Sequence, residues 1–325
     1  MIVVDVDSAS LARLRLTPSP AYELVGWLML AAQGRRHPVF GDPGAAARAE
    51  LGHPDVALVS GVLPAGGRGY LPDLLTPRPA PGPRSRTLST QLDAVAATPA
   101  WAVAEQLAWC GDEGRQIPDA VRSAAESGTF AARAAVGLRR FWQATLADRW
   151  PVLRELLDAD IRRRSYQLAD YGVGDVLGSL HEDLRWTGDR IEVDKPYDEQ
   201  LALVDADLVL APSALRWPAL SVQVCHPADA VMCYPVDGLG AAAPARPRRE
   251  RPAVSALLGD SRAQLLVDLT SPRSTGELSV RHQLAPATVS HHLGVLLRAG
   301  LVHRMRDGRT VRYHRSSRGD ALIGE

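Results

Sequence analysis

The sequence predicts an α+β protein with a largely helical N-terminal domain that carries a small antiparallel sheet, followed by a module of helix, helix and β-hairpin. Three observations predict this class. Apolar residues at helical spacing dominate Leu88 to Trp186. Short β-branched runs separated by prolines come next. The last quarter of the chain then shows helix-start and hairpin signals in close succession. At 325 residues, the chain is long enough for two or three domains.

The N-terminal part begins with a predicted strand at Met1–Val6, where β-branched residues alternate weakly. Ser8–Arg15 is compatible with a short helix or a second strand, and Ala21–Ala32 has the apolar spacing of an amphipathic helix. Gly34–Pro54 is predicted to be a loop, and Asp55–Pro64 a strand or buried segment. Further helices are expected at Trp101–Cys110, Pro118–Ser127, Thr129–Trp150, Val152–Ala169 and Asp175–Leu184.

A change of period after Trp186 predicts the small antiparallel sheet of this domain. Its strands are expected at residues 190–194, 208–211, 220–224 and 231–234. Residues 241–252 are rich in Pro, Ala and Arg and form the clearest candidate linker in the sequence. We therefore expect one domain at 1–240 and a second at 253–325.

Charge is divided unevenly between these parts, although the chain as a whole is neutral. Residues 1–245 contain 23 Lys or Arg and 30 Asp or Glu, whereas residues 246–325 contain 14 Arg and 7 Asp or Glu. A basic module behind an acidic body indicates a polyanionic partner for the basic part. The run Arg162-Arg163-Arg164 lies in the acidic part and is expected to be a solvated helix face.

Composition also narrows the cellular setting that we expect. Hydrophobic residues make up 46% of the chain, and its apolar segments fall well short of the ~20 residues that span a bilayer. The three cysteines, Cys110, Cys225 and Cys233, are scattered and do not form a disulfide framework. We therefore expect a cytoplasmic protein without a membrane partner.

The C-terminal quarter carries the pattern most informative about function. Asp260 or Ser261 is expected to cap a helix that runs to Leu269. Ser274-Thr-Gly-Glu277 is a capping box that begins a second, short helix. After a turn, Pro286 starts a third helix at 286–298, in which apolar residues recur at i, i+4, i+7 and i+8. This order predicts a helix-turn-helix whose third helix enters the major groove of DNA.

The residues expected to contact DNA lie on that helix and on the following hairpin. The third helix offers Thr288, Ser290 and His291 to base edges or adjoining phosphates, and Arg298 on its exposed face. The hairpin at 301–314 turns at Asp307-Gly308, a strong turn signal, and would form a wing. Its arginines are expected to meet backbone phosphate or the minor groove. The wing arginines chosen for that role are Arg306, Arg309 and Arg312.

These residues resemble the ArsR/SmtB family of winged helix-turn-helix transcriptional regulators. The resemblance rests on Thr288-Val-Ser-His-His-Leu293, Ala299-Gly-Leu-Val302 and Arg306-Asp-Gly-Arg309, in that order and spacing. It covers about 60 of the 325 residues. Segments such as Arg15-Leu-Thr-Pro-Ser-Pro also resemble the N-terminal extension of long actinobacterial members. The resemblance implies a homodimer on a palindromic operator, often a repressor that an effector releases.

The sequence departs from the metal-sensing members of this family. Those members carry a Glu-Leu-Cys-x-Cys run, whereas this chain has Glu277-Leu-Ser-Val-Arg281 without thiolates. Few residues follow His314, so ligands on a C-terminal dimer helix have little room. We therefore expect no metal and no cofactor. Control of DNA binding should come from the N-terminal domain, through a possible small-molecule effector, and dimerisation from Leu257–Leu269 or that domain.

Other readings of the sequence stay open. The N-terminal domain could be a small-molecule receptor or an enzyme, although no residue pattern points to a catalytic group and we expect no catalysis. Cys225-His226 with Cys233 would be a non-standard metal site, but buried strand cysteines are more common. Tryptophans between residues 101 and 217 could line an apolar pocket or simply belong to the core.

Overall fold

The computed structural model describes residues 1–64, 69–83, 87–181, 183–194, 198–216, 219–225, 229–237, 239, 254, 257–269, 272–282, 284–307 and 310–323. The predicted linker at 241–252 lies outside these residues. The chain divides into an N-terminal unit, residues 1–37 and 42–236, and a C-terminal unit, residues 38–41 and 237–325. Among the described helices, none is both long and apolar enough to cross a membrane.

Helices account for most of the regular secondary structure described in the N-terminal unit. They are α1 Ser8–Ala12, α2 Pro20–Ala32, α3 Ala45–Glu50, α4 Pro54–Ser60, α5 Leu88–Ala96, α6 Ala100–Asp112, α7 Asp119–Glu126, α8 Phe130–Thr145, α9 Trp150–Tyr171 and α10 Val173–Gly178. The predicted loop at 34–54 is wrong for the residues of α3. The segment 55–64, predicted to be a strand or a buried segment, is helical as far as Ser60 and buries Val56, Leu58 and Val59. Pro54 is the first residue of α4, where its missing N–H costs nothing.

Two four-stranded sheets complete this unit, and their pairing corrects the predicted antiparallel sheet. Their strands are β1 Ile2–Val6, β2 Arg15–Leu16, β3 Leu184–Trp186, β4 Arg190–Val193, β5 Glu199–Leu203, β6 Leu208–Ser213, β7 Ser221–Cys225 and β8 Asp229–Pro235. The first sheet has the order β3-β4-β1-β5 and the second β2-β6-β8-β7. Both sheets are mixed, because β1 pairs parallel with β5 and β6 pairs parallel with β2 and β8. The α+β class itself is confirmed.

The second sheet is fixed to helix α2 by a buried carboxylate. Glu23 is fully buried and accepts the backbone N–H groups of Ala214, at 3.2 Å, and Leu215, at 2.8 Å, just beyond β6. Burial raises the pKa of Glu23 to about 7, although these amides and Ser213 stabilise its charged form. The contact joins two segments that lie 191 residues apart.

Helix α9 is held by polar groups that its sequence did not lead us to expect. Arg164 is only 1% exposed, so the prediction of a solvated Arg162–Arg164 face is wrong for that residue. Its guanidinium donates to Ser179 Oγ at 2.6 Å and lies 5.6 Å from the centre of the Tyr234 ring. The Tyr234 hydroxyl donates to Asp160 at 2.8 Å. These contacts connect α9 to α10 and β8 through groups that are costly to bury unpaired.

The C-terminal unit contains the predicted helices and hairpin. Its elements are α11 Asp260–Asp268, β9 Arg273–Ser274, α12 Thr275–His282, α13 Pro286–Arg298, β10 Val302–Asp307, β11 Thr310–Arg315 and α14 Ser317–Ile323. The strands form an antiparallel sheet in the order β10-β11-β9. Leu266, Leu278, Val289, Leu293 and Leu296 are buried in its core. The side chain expected to cap α11 does not do so, since the residue before the helix is Gly259.

Candidate nucleic-acid interface

The short helix α12 begins with the capping box that the sequence predicts. The Ser274 hydroxyl accepts the Glu277 backbone N–H at 3.2 Å, and the Glu277 carboxylate accepts the Ser274 backbone N–H at 2.7 Å. Both exchanges satisfy amide groups that a helix start would otherwise leave without an internal partner. This arrangement fixes where α12 begins relative to β9.

The turn between α12 and α13 is closed by side-chain and backbone bonds. Ser279 Oγ donates to the Leu284 carbonyl at 2.6 Å, and the Leu284 N–H donates to the Ser279 carbonyl at 3.1 Å. Pro286 then occupies the first turn of α13. Ser279 stands where metal-sensing relatives of the predicted family carry a thiolate, and here its hydroxyl serves the turn.

Helix α13 presents one apolar and one polar face, as its spacing predicts. Val289, Leu293 and Leu296 are at most 1% exposed. Four residues predicted to contact DNA lie on the solvent side, and the structure brings them together on this one helix. They are Thr288, Ser290, His291 and Arg298. Since α13 contains no carboxylate, nothing on the helix itself would repel a phosphate backbone.

The C-terminus of α13 closes in a Schellman motif. Gly300 adopts a φ of 67° and donates its N–H to the Leu297 carbonyl at 2.9 Å. The Leu301 N–H donates to the Leu296 carbonyl at 3.0 Å. A glycine suits this position because left-handed backbone is strained for residues with a Cβ. The motif sets the direction in which the chain leaves α13 for the wing.

The wing arginines differ in what they can reach. Arg304 and Arg306 on β10 are exposed. Arg312 on β11 is only 7% exposed, and its Nη1 donates to Glu277 Oε2 at 2.8 Å. That burial corrects the prediction of a phosphate-binding Arg312, because its guanidinium instead joins the wing to the capping box. Arg309 lies outside the described residues.

Asp268, a residue that the sequence did not single out, lies at the end of α11 and contacts three basic residues at the end of α12 and on β9. Asp268 accepts two bonds from Arg281, at 2.7 and 2.9 Å, and lies 3.1 Å from His282 Nε2 and 3.6 Å from Arg273 Nε. Burial opposes its charge, but the bonds from His282 and Arg281 and the charge of Arg273 hold the pKa of Asp268 at about 2. These residues are separated in the sequence, so the charge pattern gave no sign that they form a cluster.

Two histidines near the interface are kept neutral by their surroundings. Burial, followed by the proximity of Arg262 and His291, lowers the pKa of His292. Burial also lowers the pKa of His314 to about 4, against the bond from its ring to the Arg315 carbonyl. Neither ring then adds positive charge at neutral pH.

The candidate metal ligands Cys225, His226 and Cys233 are described only in part. In the part of the chain that the structure describes, no group of three or more His, Cys, Asp or Glu is arranged to hold a metal ion. Cys233 is fully buried, and burial raises the pKa of its thiol to about 12. The Cys225 side chain and His226, the other members of the predicted non-standard site, lie outside the described residues.

The N-terminal unit contains an open cleft of about 930 Å³ between α6 and α7. Its walls combine apolar residues such as Leu107 with charged residues of both signs, and Arg122 there pairs with Asp119. The other charged residues of the lining are Arg115 and Glu126. No tryptophan lines it. Of the tryptophans considered from the sequence, Trp101 and Trp109 are exposed, and Trp142 is buried against Trp150, with ring centres 5.1 Å apart.

Comparisons with known proteins match two stretches of the chain. Residues 264–304 match the model of the bacterial regulatory protein, arsR family. Residues 131–240 match a family of unknown function, DUF5937. No curated protein and no solved structure gives a significant match. The first match covers α12 and α13 together with their turn, which are the elements that position the exposed residues described above.

Proposed function

We propose that this chain, which carries an ArsR-family helix-turn-helix behind an N-terminal extension, reads a specific operator. The helix-turn-helix makes the chain a DNA-binding transcriptional regulator. Helix α13 would lie in the major groove, with Thr288, Ser290 and His291 at base edges or adjoining phosphates. Arg298, Arg306 and Arg309 would contact phosphate. The chain would act as a repressor.

One observation carries this proposal. The solvent face of α13 presents small, polar and basic side chains without a carboxylate, and the exposed Arg304 and Arg306 lie on the wing of the same unit. Small residues let a helix approach base edges closely, and flanking arginines neutralise phosphate. The net positive charge of residues 246–325 adds long-range attraction to the same partner.

The test is fluorescence anisotropy of the full chain with duplex DNA from upstream of its own gene. Affinity should fall steeply with salt, and Arg306→Ala should reduce the logarithmic salt slope by about 1. His291→Ala should weaken binding by roughly 1–3 kcal/mol on the preferred sequence and less on random DNA. Arg35→Ala, an exposed arginine in the N-terminal unit, removes the same charge as a control.

If the double variant His291→Ala, Arg306→Ala binds DNA as tightly as the unchanged chain, the roles assigned to these two residues are wrong. Repression is tested separately, by a reporter placed behind the bound sequence. A drop in reporter output when the chain is supplied supports a repressor, and a rise contradicts it.

We propose that the N-terminal unit acts by binding a small molecule rather than by catalysis. The cleft between α6 and α7 supports a receptor, because its walls combine apolar residues with charged side chains of both signs. Thermal-shift screening of the full chain tests this, since a ligand of the folded state raises the melting temperature. Chemical turnover of a stabilising compound would favour an enzyme. Metal bound in stoichiometric amount to the purified chain would instead support the alternative of a metal sensor.

The cytoplasmic setting and the homodimer also belong to this proposal. Free cysteines at Cys110 and Cys233, both buried, agree with a reducing compartment. A palindromic operator would be matched by a two-fold symmetric dimer. Fractionation of cells and the mass of the purified chain in solution test these two points.

A further inference from the structure

Helix α9 buries only one of its sides. Over its 22 residues, Leu153, Leu157, Asp160 and Arg164 face the N-terminal unit. The opposite side exposes Val152, Leu156 and Tyr166, at 65, 37 and 72%. Large apolar groups exposed along one side of a long helix are candidates for an interaction surface.

The exposed side has a regular order along the helix. Val152, Ala159 and Tyr166 recur at seven-residue intervals, and the spacing keeps them on one narrow stripe. Ala159 lies at the centre of the stripe and is small enough to let another helix approach closely. Glu155 and Arg162 are both exposed and lie on the same flank of the stripe. Along the helix, Glu155 comes before Ala159 and Arg162 comes after it.

We propose that this stripe is a homodimer interface in which α9 packs antiparallel against α9 of a second copy, with the two-fold axis at Ala159. Under this symmetry, a residue before Ala159 meets the residue the same distance after it. Val152 then faces Tyr166 of the second copy. Glu155 lies about 1.5 Å along the helix axis from Arg162 of the second copy, on the same flank.

Charge selects both the partner and the direction. Antiparallel pairing makes two Glu155–Arg162 contacts between the copies, and opposite charges at such positions set partner choice and orientation in helix pairs. Parallel pairing would place this flank of the two copies on opposite sides of the helix pair, so neither Glu155–Arg162 contact would form. Because the pattern complements itself only after a two-fold rotation, a second copy of this chain fits it.

The strength of this association follows from the size of the stripe. Val152 to Tyr166 spans roughly 21 Å of helix. Such a contact buries less than the ~800 Å² per partner of a typical stable complex, so we expect micromolar association. The inference rests on the homodimer of the proposed function, but it is tested on the chain without DNA, so its failure can be told apart from a failure of DNA binding. Two adjacent half-sites on DNA would strengthen the pairing by raising the local concentration.

The test is sedimentation equilibrium of the full chain without DNA, over roughly 1–200 μM, which brackets micromolar association. Glu155→Arg and Arg162→Glu should each raise the dimer dissociation constant at least tenfold, since each creates two like-charge contacts. The double variant should dimerise again, and so should an equimolar mixture of the two single variants. Glu105→Arg, exposed on α6, makes the same charge change as Glu155→Arg and serves as the control.

Circular dichroism of each variant establishes that folding is unchanged. Recovery in the double variant and in the mixture is the expected result, because both arrangements restore two opposite-charge contacts. A chain that stays monomeric throughout the range overturns the proposal. So does a dimer that Glu155→Arg weakens no more than Glu105→Arg, since another surface would then form it.

Discussion

Replacing Asp268 by Asn should loosen the whole helix-turn-helix. The side chain of Asp268 is 12% exposed, neutralises the charges of Arg281 and Arg273, and hydrogen-bonds to His282. The side chains of Arg273 and His282 are only 7 and 8% exposed. Asn keeps the shape but removes the charge that these groups share. Breaking a buried pair costs about 3–5 kcal/mol, and partial exposure of Arg281 brings the expected loss to about 3 kcal/mol.

Hydrogen exchange of the full chain measures this loss. Amides of α11, α12 and α13 that exchange through unfolding of the unit should lose protection by roughly 100-fold, because 1.4 kcal/mol corresponds to a factor of ten. Asp260→Asn, on the same helix, removes an exposed carboxylate and should cost less than about 1 kcal/mol. If both variants lose protection equally, Asp268 does not hold the unit together.

Three further predictions test other parts of the structure. Gly300→Ala should destabilise the C-terminal unit by about 1–2 kcal/mol, since the φ of 67° is strained for alanine, and hydrogen exchange at the end of α13 measures it. Arg164→Met should destabilise the N-terminal unit by about 2–3 kcal/mol in urea unfolding, because Ser179 loses a buried, charged hydrogen-bond donor and the Tyr234 ring loses the guanidinium beside it, whereas Arg149→Met, at an exposed arginine, should be near neutral. Acidification should destabilise the C-terminal unit in two stages, which thermal melting at a series of pH values measures. Below pH 6.5 the unfolded chain binds a proton at His314, whereas the folded chain does so only near pH 4, so stability falls between these values. Asp268 then loses its stabilising contribution as the pH falls from 3.8 towards 2. A His314→Gln variant that melts with the same pH dependence between 6.5 and 4 would contradict the first stage.

The helix-turn-helix could be predicted from the sequence because its signals are local. The Ser274 and Glu277 capping box, Pro286 in the first turn and Gly300 beyond the last turn each act within three or four residues. Such signals fix where helices begin and end without knowledge of distant contacts. The apolar spacing of α13 then determines which side faces solvent.

The parallel strand pairs of the N-terminal unit could not be predicted in this way. Ile2 pairs with Glu199, and Arg15 pairs with Val209, across almost 200 residues of chain. Turn residues reveal neighbouring antiparallel strands but carry no information on pairing at that distance. Helix α4 was missed for another reason: its short apolar run fits a strand or a helix equally well, and tertiary packing against α8 decides.

Charged residues were the least predictable part of the candidate interface. Arg312 has the sequence context of a phosphate contact, yet the short distance to Glu277 and its burial make it part of the unit's interior. Asp268 and Arg281 lie 13 positions apart and meet only after α11 and α12 pack. A sequence shows which residues are charged, whereas folding decides which of them meet each other and which meet solvent.

The central claim is that α13 and the wing read a defined DNA sequence, and selection of bound duplexes from a random pool tests it most directly. The full chain should enrich one motif made of two inverted half-sites, with centres about 10 base pairs or a multiple apart, as two copies of one recognition helix require. Retention of DNA without any enriched sequence after repeated rounds at physiological salt would contradict it.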